Sequence, residues 1–289
     1  MIANSELILN PDGSVYHLNL LPEHIADTFI FVGDQNRVEK ITRYFDHIEF
    51  STQKREFKAQ TGTYKGKRIT VLSTGIGPDN IDIVLNELDA LVNVDLQTRT
   101  VKSDLKKLKI IRVGTSGALQ PDIAVNSFVV SRFAVGTDNM LRSYVLNDQI
   151  LEDLSDRFVQ HTAWDLQKGK PYAVSCSDEL LSWFDNPKFK KGITATAGGF
   201  YGPQGREVRL TPADKTINEK LQGFEYESIP MTNLEMETAA IYGLSALFGH
   251  EALSLNAIIA NRANGTFSEN PEEAIENLIQ EVLAVLAKQ

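Results

Sequence analysis

Arg68-Ile69-Thr70-Val71-Leu72-Ser73-Thr74-Gly75-Ile76-Gly77-Pro78-Asp79-Asn80-Ile81 joins an apolar run directly to a helical period. Ile69, Val71 and Leu72, interrupted only by Thr70, put apolar residues on both faces, the pattern of a strand covered on both sides. Gly75 and Gly77 mark the turn. Pro78 has a fixed φ and no N–H, which suits the first position of a helix. Ile81, Val84, Leu85, Leu88 and Val92 then fall on one helical face. The same strand-to-glycine pattern recurs on both sides of this stretch. Thr28-Phe29-Ile30-Phe31-Val32 ends at Gly33, and Leu108 to Val113 ends at Gly114. Ser127 to Val135 and Ala252 to Ala260 read as further strands. Met236 to Leu247 reads as a buried helix rich in small residues. A last helix has Asn270 at N-cap, Pro271 at N1 and Glu273 at N3, with Ile275, Leu278, Ile279, Val282 and Leu286 on one face. This alternation predicts an α/β fold, a central sheet covered by helices in one domain over residues 1–289.

The 289 residues carry 29 Lys plus Arg against 38 Asp plus Glu, a formal charge of −9. That balance argues against a nucleic-acid binder but leaves room for a small anion held by local arginines. The one cysteine, Cys176, excludes an intramolecular disulfide and any cysteine-clustered metal site. No apolar run is long enough to span a membrane, and the N-terminus lacks the basic and apolar blocks of a signal peptide. A cytoplasmic protein with small-molecule partners is the expectation. Two polar segments stand out. Asn93 to Lys109 is rich in lysine and reads as a solvated loop or helix start. Asp148 to Lys170 has Leu151, Leu154, Phe158 and Trp164 spaced for one helix face.

Several familiar site patterns are missing. Gly75 to Asn80 has too few glycines for a dinucleotide fingerprint, and Gly114-Thr115-Ser116-Gly117 lacks the lysine of a P-loop. There is no His-Glu-x-x-His and no Gly-x-Ser-x-Gly. What remains is arginine beside glycine-marked strand ends: Gly33-Asp34-Gln35-Asn36-Arg37, expected to precede a helix, and Arg112-Val113-Gly114-Thr115. Strand carboxyl ends are where open α/β sheets hold ligands, and exposed backbone N–H groups with arginine suit oxyanions. Each arginine alone reads better as a surface ion-pair partner; two at such turns shift the reading toward an oxyanion site. In Phe200-Tyr201-Gly202-Pro203-Gln204-Gly205-Arg206, an amide and a guanidinium can read the edge of a planar heterocycle while Phe200 covers its face. A polar surface turn explains the same residues. Glu235-Met236-Glu237 opens an apolar helix, where carboxylates either complement the helix dipole or accept sugar hydroxyls.

In this order the segments resemble the nucleoside phosphorylase family, most closely its uridine phosphorylase branch. Ser14 to Leu20 resembles the family's N-terminal histidine segment, and Gly33 to Arg37 its Gly-Asp-Pro-x-Arg loop, with Gln35 in place of proline. Lys54-Arg55-Glu56-Phe57 resembles the segment that reaches a neighbouring subunit. Arg112 to Gly117, Phe200 to Arg206 and Glu235 to Glu237 resemble the phosphate, uracil and ribose segments. Ile258-Ile259-Ala260-Asn261-Arg262 is similar to the uridine branch's segment, with Asn261 where purine-specific relatives carry an acid. The departures are Gln35, Thr238 for serine, and the extra segment near 93–109.

The resemblance implies a nucleoside phosphorylase-type fold with a mixed central β-sheet flanked by helices. It implies reversible phosphorolysis of uridine to uracil and ribose 1-phosphate. Phosphate is then co-substrate and no other cofactor is required. Gly33, Arg37, Arg112 and Thr115 would hold phosphate, with Arg55 supplied by a neighbouring subunit. Glu235, Met236 and Glu237 would hold ribose, with His17 from that neighbour. Phe200, Gln204, Arg206 and Ile259 would hold the base, and Arg206, Gln204, Glu237 and Arg112 would carry catalysis. The resemblance also implies a homo-oligomer, dimer or hexamer, with sites shared across an interface, and allows a monovalent cation such as potassium at Glu56. The alternatives are a purine nucleoside phosphorylase or nucleosidase of the same fold, and a non-catalytic nucleoside-binding protein.

Overall fold

The computed structural model describes residues 1–146 and 148–289. Its strands are β1 (Thr28–Val32), β2 (His47–Lys54), β3 (Phe57–Tyr64), β4 (Lys67–Ser73), β5 (Val94–Asp95), β6 (Thr100–Val101), β7 (Lys109–Ala118), β8 (Phe128–Gly136), β9 (Tyr172–Ser175), β10 (Phe189–Thr196), β11 (Glu225–Tyr226), β12 (Ile229–Glu235), β13 (Glu251–Asn261) and β14 (Thr266–Phe267). The helices are α1 (Gln35–Thr42), α2 (Pro78–Asn93), α3 (Glu152–Thr162), α4 (Asp178–Trp183), α5 (Ile217–Gln222), α6 (Thr238–Phe248) and α7 (Pro271–Leu286).

The expected α/β fold with a mixed central sheet is present. β1 lies parallel between β4 and β7. β13 is parallel to β7 on one side and antiparallel to β8 on the other. β10 is parallel to both β8 and β12. β12 then crosses the carboxyl end of β7, with Asn233 opposite Ala118 and Leu234 opposite Gly117. Strands β7, β13, β8, β10 and β12 thereby close into a ring. β1, β4, β3 and β2 extend from β7 as an open wing. α2 buries Ile81, Val84, Leu85 and Leu88, α6 is buried from Thr238 to Ser245, and α7 buries Ile275, Leu278, Ile279, Val282 and Leu286. The Asn270 side-chain Oδ1 accepts the Glu273 N–H at 3.3 Å, the cap expected from the sequence.

Four local expectations are corrected. The helix assigned to Met236–Leu247 begins at Thr238, because the Glu235 carboxylate accepts the N–H groups of Glu237 at 2.9 Å and Thr238 at 3.0 Å and so fixes its start. Gly33 to Arg37 does not wholly precede a helix: Asp34 accepts the Asn36 N–H at 3.0 Å, and Gln35 to Arg37 are the first turn of α1. The lysine-rich segment is a β5–β6 hairpin. Asp95 Oδ1 accepts the N–H groups of Gln97 and Thr98, both at 2.9 Å, and Arg99 Nη1 ties the turn to the Leu7 carbonyl at 2.7 Å. In Asp148–Lys170 the helix covers only Glu152–Thr162. Ala163 ends it at φ 47°, and Trp164 folds back to pack against Phe158.

Candidate active site

A cleft of about 680 Å³ opens where β1, β7, β12 and β13 end. At one side, α1 presents its first turn to the cleft, and Arg37 donates to the Val113 carbonyl at 3.2 Å. Beside it lies Arg112, only 6% exposed. Arg112 Nη1 donates to Asn256 Oδ1 at 2.9 Å, while Nη2 bonds Glu237 and lies 3.2 Å from Glu235. The arginine can adopt this pose because residue 114 is glycine. A Cβ there would stand 1.8 Å from Arg112 Nη1.

Charge is unevenly matched across this group. Burial opposes the Arg112 charge, but Glu235 and Glu237 outweigh it and hold the guanidinium's pKa above its ordinary value. Burial pushes the Glu237 carboxyl up, against the pull of Arg112 and with the repulsion of Glu235. Arg37 is pushed down, first by burial and then by Arg112, and has no ion-pair partner among the described residues. A desolvated cation without a counter-charge, beside a helix N-terminus, is an anion site. Thr115 and Gly33 line the same end.

The middle of the cleft is lined by Glu235, Met236 and Glu237. Glu235 is committed to the N-terminus of α6 and to the Thr196 hydroxyl, which donates to it at 2.7 Å. That is the capping reading of this residue. Glu237, 5% exposed, accepts the Gly77 N–H at 2.8 Å in addition to its bond from Arg112.

The far end gathers Phe200, Gln204, Arg206 and Ile259. The Arg206 guanidinium lies 3.8 Å from the Phe200 ring centre, donates to the Phe200 carbonyl at 2.6 Å and bonds the Gln204 side chain. Burial, then the nearby Arg262, lowers its pKa to about 10. Ile259 is the extra residue of a bulge in β13, which turns it into the cleft.

Sequence reasoning missed Asn256 and Phe267, and gave Arg262, read within Ile258 to Arg262, no contact of its own. Asn256 holds Arg112, and its signal was an amide inside the apolar run Ala252–Ala260. Arg262 donates to the Gln204 carbonyl at 3.2 Å and leaves Nη1 buried without a partner. Phe267, on β14, is 64% exposed at the cleft rim, and no periodicity marks it. Asn261 lies outside the cleft lining, donating to the carbonyls of Gln120 at 2.9 Å and Ile123 at 2.7 Å and accepting from Ala263 and Asn264.

The family model described as the phosphorylase superfamily matches residues 27–288. The chain belongs to the phosphorylase superfamily. It is 29% identical over 277 residues to a uridine phosphorylase of Thermococcus kodakarensis, covering 96% of this chain and 88% of that one. It is 28% identical to a DeoD-type purine nucleoside phosphorylase of Geobacillus kaustophilus, covering 91% of this chain and 98% of that one. Among solved structures it is similar to a Trypanosoma brucei nucleoside phosphorylase described as showing uridine phosphorylase activity. That match has a TM-score of 0.86 and 30% identity, and covers 98% of this chain and 100% of the other.

Two residues that the family resemblance assigns to ligands lie outside the cleft of this chain. His17 Nδ1 meets Glu87 at 2.6 Å in a separate groove. Arg55 is exposed in the turn between β2 and β3 at φ 54°, although Glu56, the next residue, lines the cleft. Among the described residues there is no cluster of three or more His, Cys, Asp or Glu side chains able to hold a metal, and no helix is long and apolar enough to cross a membrane.

Proposed function

We propose that this chain is a uridine phosphorylase, converting uridine and phosphate reversibly to uracil and ribose 1-phosphate. The observation that carries this reading is the base end of the cleft. Gln204 and Arg206 meet there with Phe200 and Ile259, Arg262 bonds the Gln204 carbonyl, and among the described residues no carboxylic acid lines that end. A departing base is then stabilised as an anion by guanidinium charge rather than protonated by an acid, which suits uracil.

A phosphate oxygen attacks C1′, the C1′–N1 bond breaks, and its electron pair goes to the uracil ring. Uracil then takes a proton from solvent. Gly33, Arg37, Arg112 and Thr115 hold the phosphate. Glu237 accepts ribose hydroxyls above Met236, with Glu235 fixing the helix start beneath them. Gln204 and Arg206 hold the uracil edge, Phe200 and Ile259 its faces, and Arg206 offsets the developing charge. In the same reading the chain works in the cytoplasm in pyrimidine salvage, as a homo-oligomer. His17 and Arg55 complete the ribose and phosphate ends of a neighbouring protomer's site. A monovalent cation at Glu56 takes its remaining oxygens from that neighbour.

The test is release of free base from uridine, thymidine, inosine and adenosine with and without phosphate. Uridine cleavage should need phosphate and yield ribose 1-phosphate. Its kcat/KM should exceed that of inosine by about 10⁴, the discrimination that unpaired buried polar groups can impose. A better rate with inosine assigns the chain to purines. Equal rates without phosphate make it a nucleosidase.

A further inference from the structure

Gln35 stands in the first turn of α1, on the anion side of the cleft, yet its side chain points to a different element. Its Nε2 donates to the Arg55 carbonyl at 2.9 Å, and its Oε1 accepts from Gln53 Nε2 at 2.5 Å. Arg55 is in the β2–β3 turn, and Gln53 is near the end of β2 that leads into it. Arg55 holds a left-handed φ of 54°, a strained conformation for a side-chain-bearing residue that persists only where surrounding contacts impose it. Gln35 supplies such a contact on one side. On the other, the Glu56 carbonyl accepts the Ser73 hydroxyl at 2.7 Å. The Arg55 guanidinium itself is exposed and makes no hydrogen bond or ion pair among the described residues. One amide therefore joins the turn that carries Arg37 to a strained turn that holds out an unpaired cation.

We propose that Gln35 is a positioning residue that couples anion binding in one protomer's cleft to the presentation of Arg55 to the next. This rests on the reading above that Arg55 completes a neighbour's site. An anion drawn onto the first turn of α1 fixes Gln35, Gln35 fixes the Arg55 carbonyl, and the ordered turn presents its guanidinium to the second cleft. The neighbour's second anion then binds to a site already assembled. A coupling of about fivefold, the lower end for linked sites, gives two equivalent sites a Hill coefficient of about 1.4.

The experiment is calorimetric titration of the wild-type oligomer with inorganic phosphate alone, compared with Gln35→Pro, Gln35→Ala and Arg55→Ala. Proline suits the first helical position, and the Gln35 backbone N–H donates no recorded bond, so Gln35→Pro removes the amide without weakening α1. The expected result is a Hill coefficient near ~1.4 for wild type and 1 for both Gln35 variants, with the phosphate midpoint raised about twofold, the square root of the coupling. Adding Gln35→Pro to Arg55→Ala should change nothing more. A wild-type Hill coefficient of 1 overturns the proposal, as does an equal effect of Gln35→Pro with and without Arg55. Because no nucleoside is present, failure of uridine cleavage would refute the proposed activity and leave this test standing.

Discussion

The Gly77 N–H donates to Glu237 Oε1 at 2.8 Å, joining residues 160 positions apart. Gly77 is the N-cap of α2, at φ 99°, and Glu237 the N-cap of α6. One carboxylate thus ties the start of α2 to the pose of Arg112, at the residue where α6 begins. Glu237→Gln retains the shape but places an amide against the Arg112 guanidinium and removes a buried charge. It should lower stability by about 3 kcal/mol, the lower end for breaking a buried pair, and lower kcat/KM at least about a hundredfold. Denaturant unfolding and the phosphorolysis assay measure the two effects separately.

The Arg112 guanidinium and Asn256 Oδ1 fill the space over the Gly114 α-carbon. Gly114→Ala should displace the guanidinium from Asn256 and Glu237, cost about 1–3 kcal/mol from overpacking, and raise the KM for phosphate. Unfolding that matches wild type, with unchanged phosphate dependence, would show that Arg112 needs no such space.

His250 is buried, and burial lowers its pKa to about 4. Its Nδ1 accepts the Leu108 N–H at 3.3 Å. In the unfolded chain it takes up a proton below about pH 6.5, whereas the folded chain resists until about pH 4. The unfolded state therefore binds more protons in that window, and stability falls as pH falls through it, by about 3 kcal/mol. His250→Asn, whose carbonyl oxygen can accept the Leu108 N–H, should flatten this part of the stability–pH curve. Equal acid slopes in the two proteins would assign the loss to other groups.

Arg55→Ala and Glu237→Ala should each be nearly inactive as homodimers. Mixed with subunit exchange confirmed by mass, they should recover about a quarter of wild-type activity, because each mixed dimer holds one intact site. No recovery would place Arg55 and Glu237 in the same protomer's site.

The sequence revealed the strands and helices whose faces are uniformly apolar, such as β1, β4, β7 and α7. It did not reveal β10 or β12. Their buried positions hold Thr194, Thr232 and Asn233, whose polar atoms bond one another; Thr194, for example, donates to Asn233 at 2.8 Å. Polarity satisfied within a sheet reads as loop when only hydropathy is visible. In the site, Arg37, Arg112, Gln204 and Arg206 stood out because charge or amide beside glycine is conspicuous. Phe267 did not, since a short hairpin brought it to the cleft rim and leaves no periodic trace.

The ring of strands also sets when the site comes into being. β7 carries Arg112, but its neighbour β13 is made 142 residues later, as the pairing of Lys109 with Glu251 records. During synthesis the Arg112 strand waits with an open edge until the chain passes Asn261. Contacts so distant in sequence close slowly. A chain stopped before Glu251 would keep every anion-binding residue of the first half and still display β7 as a bare edge, open to pairing with another unfinished copy.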